Sequence, residues 1–509
     1  MLAKVLSGSV LGIDAYKIEV EVDIQFGMPY FALVGLPDGA VRESKERVKS
    51  SIRNSGYDYP DDRIIINLAP ADIKKDNSGL DLPIAIGILA ALGVVPEASL
   101  SDCMVLGELG LNGEVKPIRG ALPVAAACRD IGISSLIVPR QNAPEAAVVE
   151  AVAVIPADSL AGVVEHLRGM KQIEPLKIDI QSVFDQKKRY DVDFSDVRGQ
   201  EHAKRALEVA AAGGHNVLMI GPPGSGKTML AKRIPTILPE MSFDEAIETT
   251  KIYSVVGMLP EQASLVATRP FRSPHHTISD AGLIGGGNIP RPGEISLSHN
   301  GVLFLDELPE FKKNVLEVLR QPLEDGNVTI SRALTSITYP ARLILIAAMN
   351  PCSCGYFGDT SKPCSCSPQQ VHRYRSRISG PLLDRIDIQI EVPAVRYKEL
   401  SAVHGGEQSE AIRGRINGAR SIQGERFKKT KTRCNAQMTA RQLNKYCQID
   451  EDGHRLMENV VDRLGMSARA HARILKVSRT IADLEENENI KPHHLSEAIQ
   501  YRSLDRAKG

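Results

Sequence analysis

The eight residues GPPGSGKT, 221–228, constrain the fold of this 509-residue chain more than any other stretch. They match the pattern G-x-x-x-x-G-K-[ST] and stand between the apolar run VLMI and a segment of helical character, which is the context that the pattern requires. The glycines let backbone N–H groups surround phosphates, Lys227 adds a positive charge, and Thr228 offers a hydroxyl to Mg²⁺. The sequence therefore predicts a P-loop α/β core that binds ATP and Mg²⁺ through Gly221, Pro222, Pro223, Gly224, Ser225, Gly226, Lys227 and Thr228.

The overall composition restricts what the energy of ATP can be used for. The chain has 62 Lys plus Arg and 62 Asp plus Glu, so its formal net charge is zero. This balance excludes a uniformly basic surface, and any contact with nucleic acid must come from local patches. The longest apolar run, residues 82–95, is too short to span a bilayer and predicts a buried helix. The N-terminus lacks a secretion signal, so we expect a cytoplasmic protein without a membrane segment.

The pattern of apolar runs predicts an α/β protein with three domains and a linker. Residues 1–170 alternate short β-like runs with helical runs, which indicates an α/β domain of their own. Residues 171–193 are rich in charge and lack periodicity, as is typical of a linker. Residues 194–395 form a second α/β unit, which carries the P-loop, and residues 396–509 are polar, helical and free of strand signals.

Two further apolar strands end in polar residues that suit the chemistry of ATP. In GVLFLDELPE, residues 301–310, the apolar run ends at Asp306 and Glu307. A carboxylate at the carboxyl end of a strand beside the P-loop can hold Mg²⁺, which is the role predicted for Asp306. Glu307 is then the carboxylate that polarises the attacking water. The strand RLILIAAMN ends in Asn350, whose amide is predicted to orient water against the γ-phosphate.

Arg385 is a candidate for catalysis across a subunit boundary. It lies in SGPLLDRIDIQIEV, residues 379–392, where a helical segment passes into a strand. An arginine in this place can reach the ATP of a neighbouring subunit and neutralise charge that develops in the transition state. The alternative is a local ion pair with Asp384 or Asp387.

The motifs together resemble a known family. The set GPPGSGKT, LFLDE, AAMN and LLDRID, followed by a helical domain, resembles AAA+ ATPases of the magnesium-chelatase-like branch, close to the MCM helicases. The stretch FRSPHHTISDAGLIGGGNIPRPGEISLSHNGVLFLDELPEF is similar to the YifB/ComM family, and the similarity covers essentially the whole chain. The resemblance implies a homo-hexameric ring with ATP at its subunit interfaces and a helical lid over residues 396–509. It assigns Arg469 as the lid arginine that touches the γ-phosphate, with Arg473, one turn away, as the alternative.

Two segments of the P-loop unit are candidates for contact with DNA. Residues 271–300 are rich in Gly and Pro, and residues 326–342 have the pattern of a hairpin with Arg332 near its tip. The family resemblance places both at the pore of a ring, where basic side chains would bind phosphates without sequence preference. The alternative for residues 326–342 is a solvated surface hairpin.

Four cysteines follow Asn350 as two close pairs in NPCSCGYFGDTSKPCSCS. A loop between the pairs can bring four thiolates into a tetrahedron around Zn²⁺. The alternative is four reduced thiols on a surface loop. The predicted zinc ligands are Cys352, Cys354, Cys364 and Cys366.

The N-terminal domain resembles the proteolytic domain of Lon proteases. The resemblance lies in ADIKKDNSGLDLPIAIGILAAL and LGELGLNGEVKPIRGALPVAAACRDIGI. Lon uses a Ser–Lys dyad, in which the lysine accepts the serine proton. Gly79 aligns with the nucleophile, next to Ser78, and Leu122 aligns with the lysine. The resemblance therefore implies a Lon-like fold without peptidase chemistry.

Three classes of function remain open from the sequence. The first is a ring helicase that drives branch migration of DNA during recombination of incoming DNA, as the whole-chain resemblance implies. The second is the motor subunit of a magnesium chelatase, which resembles only the middle of the chain. The third is an ATP-dependent chaperone or protease, which the missing dyad disfavours.

Overall fold

The computed structural model describes residues 1–73, 75, 78–186, 190–260, 263–287, 290–332, 335–359, 362–395, 406–464 and 467–502. The chain divides into two compact units. The first unit contains Met1–Lys187 and Phe243–Ala267, and the second contains Lys188–Ser242 and Thr268–Gly509. The first unit thus ends later than the predicted boundary at residue 170.

The first unit is built on a seven-stranded sheet with the order β3-β4-β2-β1-β5-β8-β9, beside a small hairpin of β6 and β7. In β2 the alternation of apolar and polar residues buries Ile18, Val20, Val22 and Ile24 on one face, as expected for a strand with one face on a core. The strands are β1 Leu2–Leu11, β2 Asp14–Gln25, β3 Tyr30–Val34, β4 Arg63–Ala69, β5 Cys103–Val105, β6 Glu108–Leu109, β7 Val115–Lys116, β8 Ser135–Pro139 and β9 Ala153–Ala157.

Helices cover this sheet, and the helix Asp81–Ala91 is buried along its whole length, which confirms the buried helix predicted from the apolar run. The helix Phe243–Val256 was expected within the P-loop domain at 194–395, but it packs in the first unit, where the backbone N–H of Gly120 donates to Ser254 O at 3.1 Å. The helices of this unit are Gly39–Arg42, Ser44–Asn54, Asp81–Ala91, Ala121–Ile131, Ala143–Ala146, Leu160–Leu167, Ile180–Gln186 and Phe243–Val256.

The second unit contains a five-stranded parallel sheet with the order β11-β14-β17-β10-β18. Its central strands are continuous apolar runs because both of their faces are covered. The carboxyl ends of β10, β14 and β17 therefore meet at one edge of the sheet. The strands of this unit are β10 Val217–Ile220, β11 Phe271–Arg272, β12 Gly285–Gly286, β13 Arg291–Pro292, β14 Val302–Leu305, β15 Asn327–Arg332, β16 Thr335–Pro340, β17 Ile344–Met349 and β18 Ile388–Glu391.

Helices complete the second unit, and the regular elements described after β18 are helical, as predicted for the C-terminal domain. The expected start of that domain, residues 396–405, lies outside the described residues. The fold class, α/β with a P-loop core and a helical C-terminal domain, is confirmed. The helices are Glu201–Gly213, Lys227–Ile237, Asp280–Ile284, Glu294–Leu297, Lys313–Glu317, Arg320–Asp325, Pro368–Arg375, Gly380–Leu383, Ser409–Phe427, Ala440–Tyr446, Glu451–Leu464, Ala468–Leu484 and Pro492–Gln500.

Among the described helices, none combines the length and the apolar character that a membrane crossing requires.

Candidate nucleotide-binding site

The predicted P-loop joins β10 to the helix that begins at Lys227. Gly226 precedes this helix with φ at +91°, a left-handed conformation that glycine adopts without strain. Gly221 lies so close to the chain after β18 that a Cβ there would stand 2.0 Å from Val392 O. Both glycines are therefore required by the path of the loop, which curls between the strand and the helix as the motif predicts.

The Lys227 ammonium lies inside the loop, and only 8% of the residue is exposed. Its Nζ donates to Gly221 O at 2.7 Å and to Pro222 O at 2.9 Å, and it lies 3.4 Å from Asn350 Oδ1. Burial lowers the pKa of Lys227, while the neighbouring carboxylates of the β14 edge act in the opposite direction. The loop thus holds a positive charge at the carboxyl end of the sheet.

Asp306 stands directly after β14 and contacts the P-loop helix. The hydroxyl of Thr228 donates to Asp306 Oδ2 at 2.7 Å, and the Glu307 backbone N–H donates to Asp306 Oδ1 at 3.0 Å. A hydroxyl and a carboxylate in contact are a pair of hard oxygen ligands of the kind that Mg²⁺ takes together with phosphates. The structure therefore brings Lys227, Thr228, Asp306 and Asn350 together, as the sequence predicts.

Glu307 has a left-handed backbone, with φ at +54°, and 57% of its side chain is exposed. Its Oε2 lies 3.7 Å from Nδ1 of His276. His276 is not among the site residues predicted from the sequence. The only sequence signal for it is the histidine pair that follows β11 within the Gly- and Pro-rich segment 271–300.

Arg385 is buried and pairs with neither of the predicted aspartates. Its Nη1 donates to Pro381 O at 2.7 Å, and its Nη2 forms an ion pair with the Glu324 carboxylate. An ion pair thus exists, but its partner is Glu324 of the helix Arg320–Asp325 rather than Asp384 or Asp387. The side chain borders a cavity of about 480 Å³ that Glu317, Arg320 and Glu324 also line.

The two candidates for the lid arginine, Arg469 and Arg473, have different surroundings. Both lie in the helix Ala468–Leu484, whose first turn is capped by the Ser467 hydroxyl. Arg469 is exposed in that first turn. Arg473, one turn later, forms an ion pair with Asp387 at 2.5 Å. The assignment of Arg469 as the lid arginine stays a prediction.

The hairpin predicted at 326–342 is confirmed by β15 and β16, which pair from Asn327 with Pro340 to Arg332 with Thr335. Its tip, residues 333–334, lies outside the described residues. The same holds for residues 288–289 of the Gly- and Pro-rich segment 271–300, called the glycine-rich segment below. Arg332 is exposed, and its Nε donates to Gly287 O at 3.3 Å. The two candidate DNA-contacting segments therefore contact each other through Arg332.

The four paired cysteines lie together as free thiols. All four sulfurs lie within 4.8 Å of one another, and Cys352 Sγ is 3.3 Å from Cys354 Sγ and 3.7 Å from Cys364 Sγ. Four thiolates at about 2.3 Å from a tetrahedral Zn²⁺ stand roughly 3.8 Å apart. The cluster therefore fits one zinc ion. Its loop also touches the P-loop, since a Cβ on Gly355 would lie 2.6 Å from Pro223 Cδ.

In the first unit, the positions aligned with the Lon dyad hold no reactive group among the described side chains. Leu122 is fully buried at the start of the helix Ala121–Ile131. Gly79 is fixed by its carbonyl, which accepts from Gly107 N at 2.9 Å. The side chain of Ser78 lies outside the described residues. The Lon-like character of this unit stays a prediction.

Comparisons with known proteins place the chain in a class. One family model, described as magnesium chelatase, subunit ChlI, matches residues 193–400. A second, subunit ChlI of Mg-chelatase, matches residues 20–142, and a third, the ChlI C-terminal model, matches residues 406–502. The fold and these matches define an AAA+ protein of the magnesium-chelatase type. The chelatase likeness is therefore broader than the predicted middle of the chain.

Individual relatives narrow the class to a family. The chain is 44% identical over 508 residues to the uncharacterized protein YifB of Salmonella typhimurium and to the competence protein ComM of Haemophilus influenzae. Each match covers 99% of this chain and 98% of the relative. The magnesium-chelatase 38 kDa subunit of Rhodobacter capsulatus is 27% identical over 225 residues, which cover 40% of this chain and 60% of that protein. The chain belongs to the YifB/ComM family.

Proposed function

We propose that this protein is a Mg²⁺-dependent ATPase that works as a hexameric ring in the cytoplasm. The observation that carries the proposal is the meeting of Lys227, Thr228, Asp306 and Asn350 at one edge of the parallel sheet. In this proposal the P-loop holds the phosphates, and Thr228 with Asp306 holds Mg²⁺. Glu307 polarises the attacking water, and Asn350 orients it.

Two arginines complete the proposed site from outside the sheet edge. Arg385 reaches the ATP of the next subunit, and Arg469 reaches the γ-phosphate from the lid. In the single chain Arg385 is paired with Glu324. When the ring closes, Arg385 would exchange the Glu324 carboxylate for the phosphates of the neighbouring subunit's ATP. Such a residue supplied across an interface stabilises the charge of the transition state.

We further propose that the ring uses ATP to move DNA, as a helicase that promotes branch migration during recombination of incoming DNA. The contact of Arg332 with the glycine-rich segment supports this proposal, because it joins two elements that would line a central channel. The name of the relative from Haemophilus influenzae, a competence protein, supports the setting of natural transformation. Zn²⁺ at the four paired cysteines would have a structural role beside the P-loop.

The test is ATP-dependent conversion of a labelled four-way junction or forked duplex to its products by the purified protein. We expect conversion with ATP and Mg²⁺, none with the Glu307→Gln variant, and DNA binding that weakens steeply with salt. Electron microscopy with an ATP analogue and forked DNA should display a closed ring of six subunits. A purified ring that hydrolyses ATP but neither binds nor remodels DNA would contradict the proposal.

In that event the second candidate function is a motor subunit of a chelatase that inserts Mg²⁺ into a porphyrin. The observation in its favour is that models named for chelatase subunit ChlI match all three parts of the chain. It would be tested with porphyrin, Mg²⁺, ATP and candidate partner subunits.

A further inference from the structure

The carboxylate of Asp387 is the centre of a buried polar cluster between the lid and the sheet. It is fully buried, and its Oδ1 accepts from Arg473 Nη1 at 2.5 Å. Its Oδ2 accepts from the backbone N–H of Asn216 at 3.0 Å, and Nδ1 of His215 lies at 3.5 Å. Burial opposes ionisation, but Arg473 and His215 outweigh it and hold the pKa of Asp387 well below its usual range. A buried carboxylate in this state depends on its cationic partner.

Asp387 also lies two residues after Arg385, in a segment that is held tightly. The Asn216 side chain donates to Arg385 O at 3.0 Å and accepts from Leu345 N at 2.9 Å. The backbone N–H of Asp387 donates to Asn216 O at 3.1 Å. Because Asn216 holds Arg385, Asp387 and Leu345 of β17 together, these residues and the sheet form one rigid piece, and a displacement of the Asp387 carboxylate also displaces Arg385.

The cationic partner of Asp387 comes from the lid helix that carries Arg469. Arg473 follows Arg469 by four residues, and residues at this spacing lie on the same face of a helix. Arg473 therefore stands between the predicted lid contact to the subunit's own ATP and the rigid piece that carries Arg385.

We infer that Arg473 is a positioning residue that couples successive ATP sites of the ring. When the lid closes on the ATP of its own subunit, the Arg473–Asp387 pair moves Arg385 toward the ATP of the next subunit. The inference rests on the proposed function, in which Arg385 acts across the interface. It assigns Arg473 a role different from that of a lid arginine on the γ-phosphate, because its guanidinium is paired with a buried carboxylate.

A mixed ring separates the two roles of Arg473. We expect Arg473→Met to lower kcat by about 10- to 100-fold, as for a misplaced catalytic group, with little change in ATP affinity. When Arg473→Met protein is mixed with an equal amount of Glu307→Gln protein, the mixture should hydrolyse ATP at about a quarter of the wild-type rate. In such rings about a quarter of the sites combine an intact Glu307 with a neighbouring subunit whose Arg473 is intact. A lid arginine acting on its own ATP would give no recovery, because the Arg473→Met site stays defective beside any neighbour. No recovery would overturn the inference.

Two controls make the result specific. Arg455→Met breaks an exposed pair with Glu451 in the neighbouring lid helix and should leave activity unchanged. A mixture of Arg385→Ala with Glu307→Gln must also recover activity. If the Arg385→Ala mixture recovers no activity, the proposed action of Arg385 across the interface is wrong. If the Arg385→Ala mixture recovers activity but the Arg473→Met mixture does not, only the role inferred for Arg473 is wrong.

A second variant guards against loss of folding. If Arg473→Met protein melts early or does not assemble, Asp387→Asn keeps the shape of the buried group and removes its charge. We expect the same loss of kcat and the same recovery in the mixed ring for Asp387→Asn. Arg473→Lys, which keeps the positive charge, should retain more activity than Arg473→Met, and equal loss in both would count against the inference.

Discussion

Glu307 combines a left-handed backbone with a largely exposed carboxylate beside His276. For a residue with a Cβ, this backbone conformation is less favourable than the right-handed one by about 1 kcal/mol or more of free energy. The surrounding structure therefore has to hold Glu307 in it. Strain of this kind is concentrated at sites where a side chain must point in one direction. The proposed role of Glu307, polarising a water next to the Asp306–Thr228 pair, requires a fixed direction of this kind.

Substitution of single residues tests this site directly. Glu307→Gln should bind ATP with near-normal affinity and hydrolyse it at least about 100-fold more slowly, because the water loses the carboxylate that polarises it. Lys227→Ala should fail to bind ATP, because the phosphates lose their positive partner. The measurements are ATP binding by fluorescence or calorimetry and release of phosphate. A normal rate of ATP hydrolysis by Glu307→Gln would contradict the proposed role of this carboxylate.

Mixing of two inactive variants tests the role of Arg385. Lys227→Ala and Arg385→Ala should each lack activity alone, whereas mixed rings contain interfaces in which both residues are intact. We expect partial recovery of ATP hydrolysis in the mixture. If subunits exchange but the mixture stays inactive, Arg385 does not act across the interface.

At the scale of elements, two loops flank β17, one before it and one after it. The hairpin of β15 and β16 contacts the glycine-rich segment through Arg332, and the cysteine loop packs on Pro223 of the P-loop. The cysteine loop follows β17 and begins at the carboxyl edge that holds the nucleotide site, whereas the hairpin precedes β17 and joins the opposite end of that strand.

Truncation of the hairpin arginine tests its contact with DNA. Arg332→Ala should keep basal ATP hydrolysis but lose most DNA-stimulated hydrolysis and junction conversion, because a phosphate contact is lost. Each lost phosphate contact should also reduce the salt dependence of DNA binding by a slope of about one. Arg455→Ala, an exposed arginine of the lid, serves as the control. Unchanged junction conversion by Arg332→Ala would contradict a role of this residue in moving DNA.

Metal analysis tests the cysteine loop. Protein purified without added metal should contain about one Zn²⁺ per chain, and Cys354→Ser with Cys364→Ser should lose it. Removal of the metal should lower the melting temperature and weaken ATP binding, because Gly355 packs on Pro223. Cys103→Ser, a buried cysteine of the first unit, should keep the metal. Less than about a tenth of an equivalent together with full ATPase activity would leave the four cysteines as thiols.

At the scale of the whole molecule, the first unit includes a helix that the sequence places inside the P-loop domain. Phe243–Val256 follows the P-loop helix in the chain but packs beside Gly120 in the first unit. The first unit is therefore connected to the second at three points of the chain rather than by a single linker.

The first unit is predicted to cleave no peptide bond. Leu122 is apolar and buried where a Lon-type site has its lysine, so a nearby serine hydroxyl would have no base. Ser78→Ala should therefore leave ATP hydrolysis and DNA remodelling unchanged, and casein or fluorogenic peptides should stay intact with either protein. Peptidase activity that disappears in Ser78→Ala would place the nucleophile one residue before the aligned position.

The sequence by itself determined the order of elements around the motifs. The P-loop, the strand that ends at Asp306 and the strand that ends at Asn350 were all predicted, because buried parallel strands are continuous apolar runs and glycine patterns mark the loop. The sequence also predicted that the carboxyl ends of these strands lie close together, because the carboxyl ends of parallel strands share one edge of the sheet. These features are local in the chain, and local patterns of hydrophobicity and backbone freedom encode them.

Only the tertiary structure decided which distant side chains meet. Arg385 pairs with Glu324 rather than with a near neighbour, His276 lies beside Glu307, and Arg473 pairs with Asp387. The periodicity of a sequence specifies which face of an element is buried, but it does not specify which residue of another element that face will meet. That choice depends on the packing of whole layers, which arises only when the chain has folded.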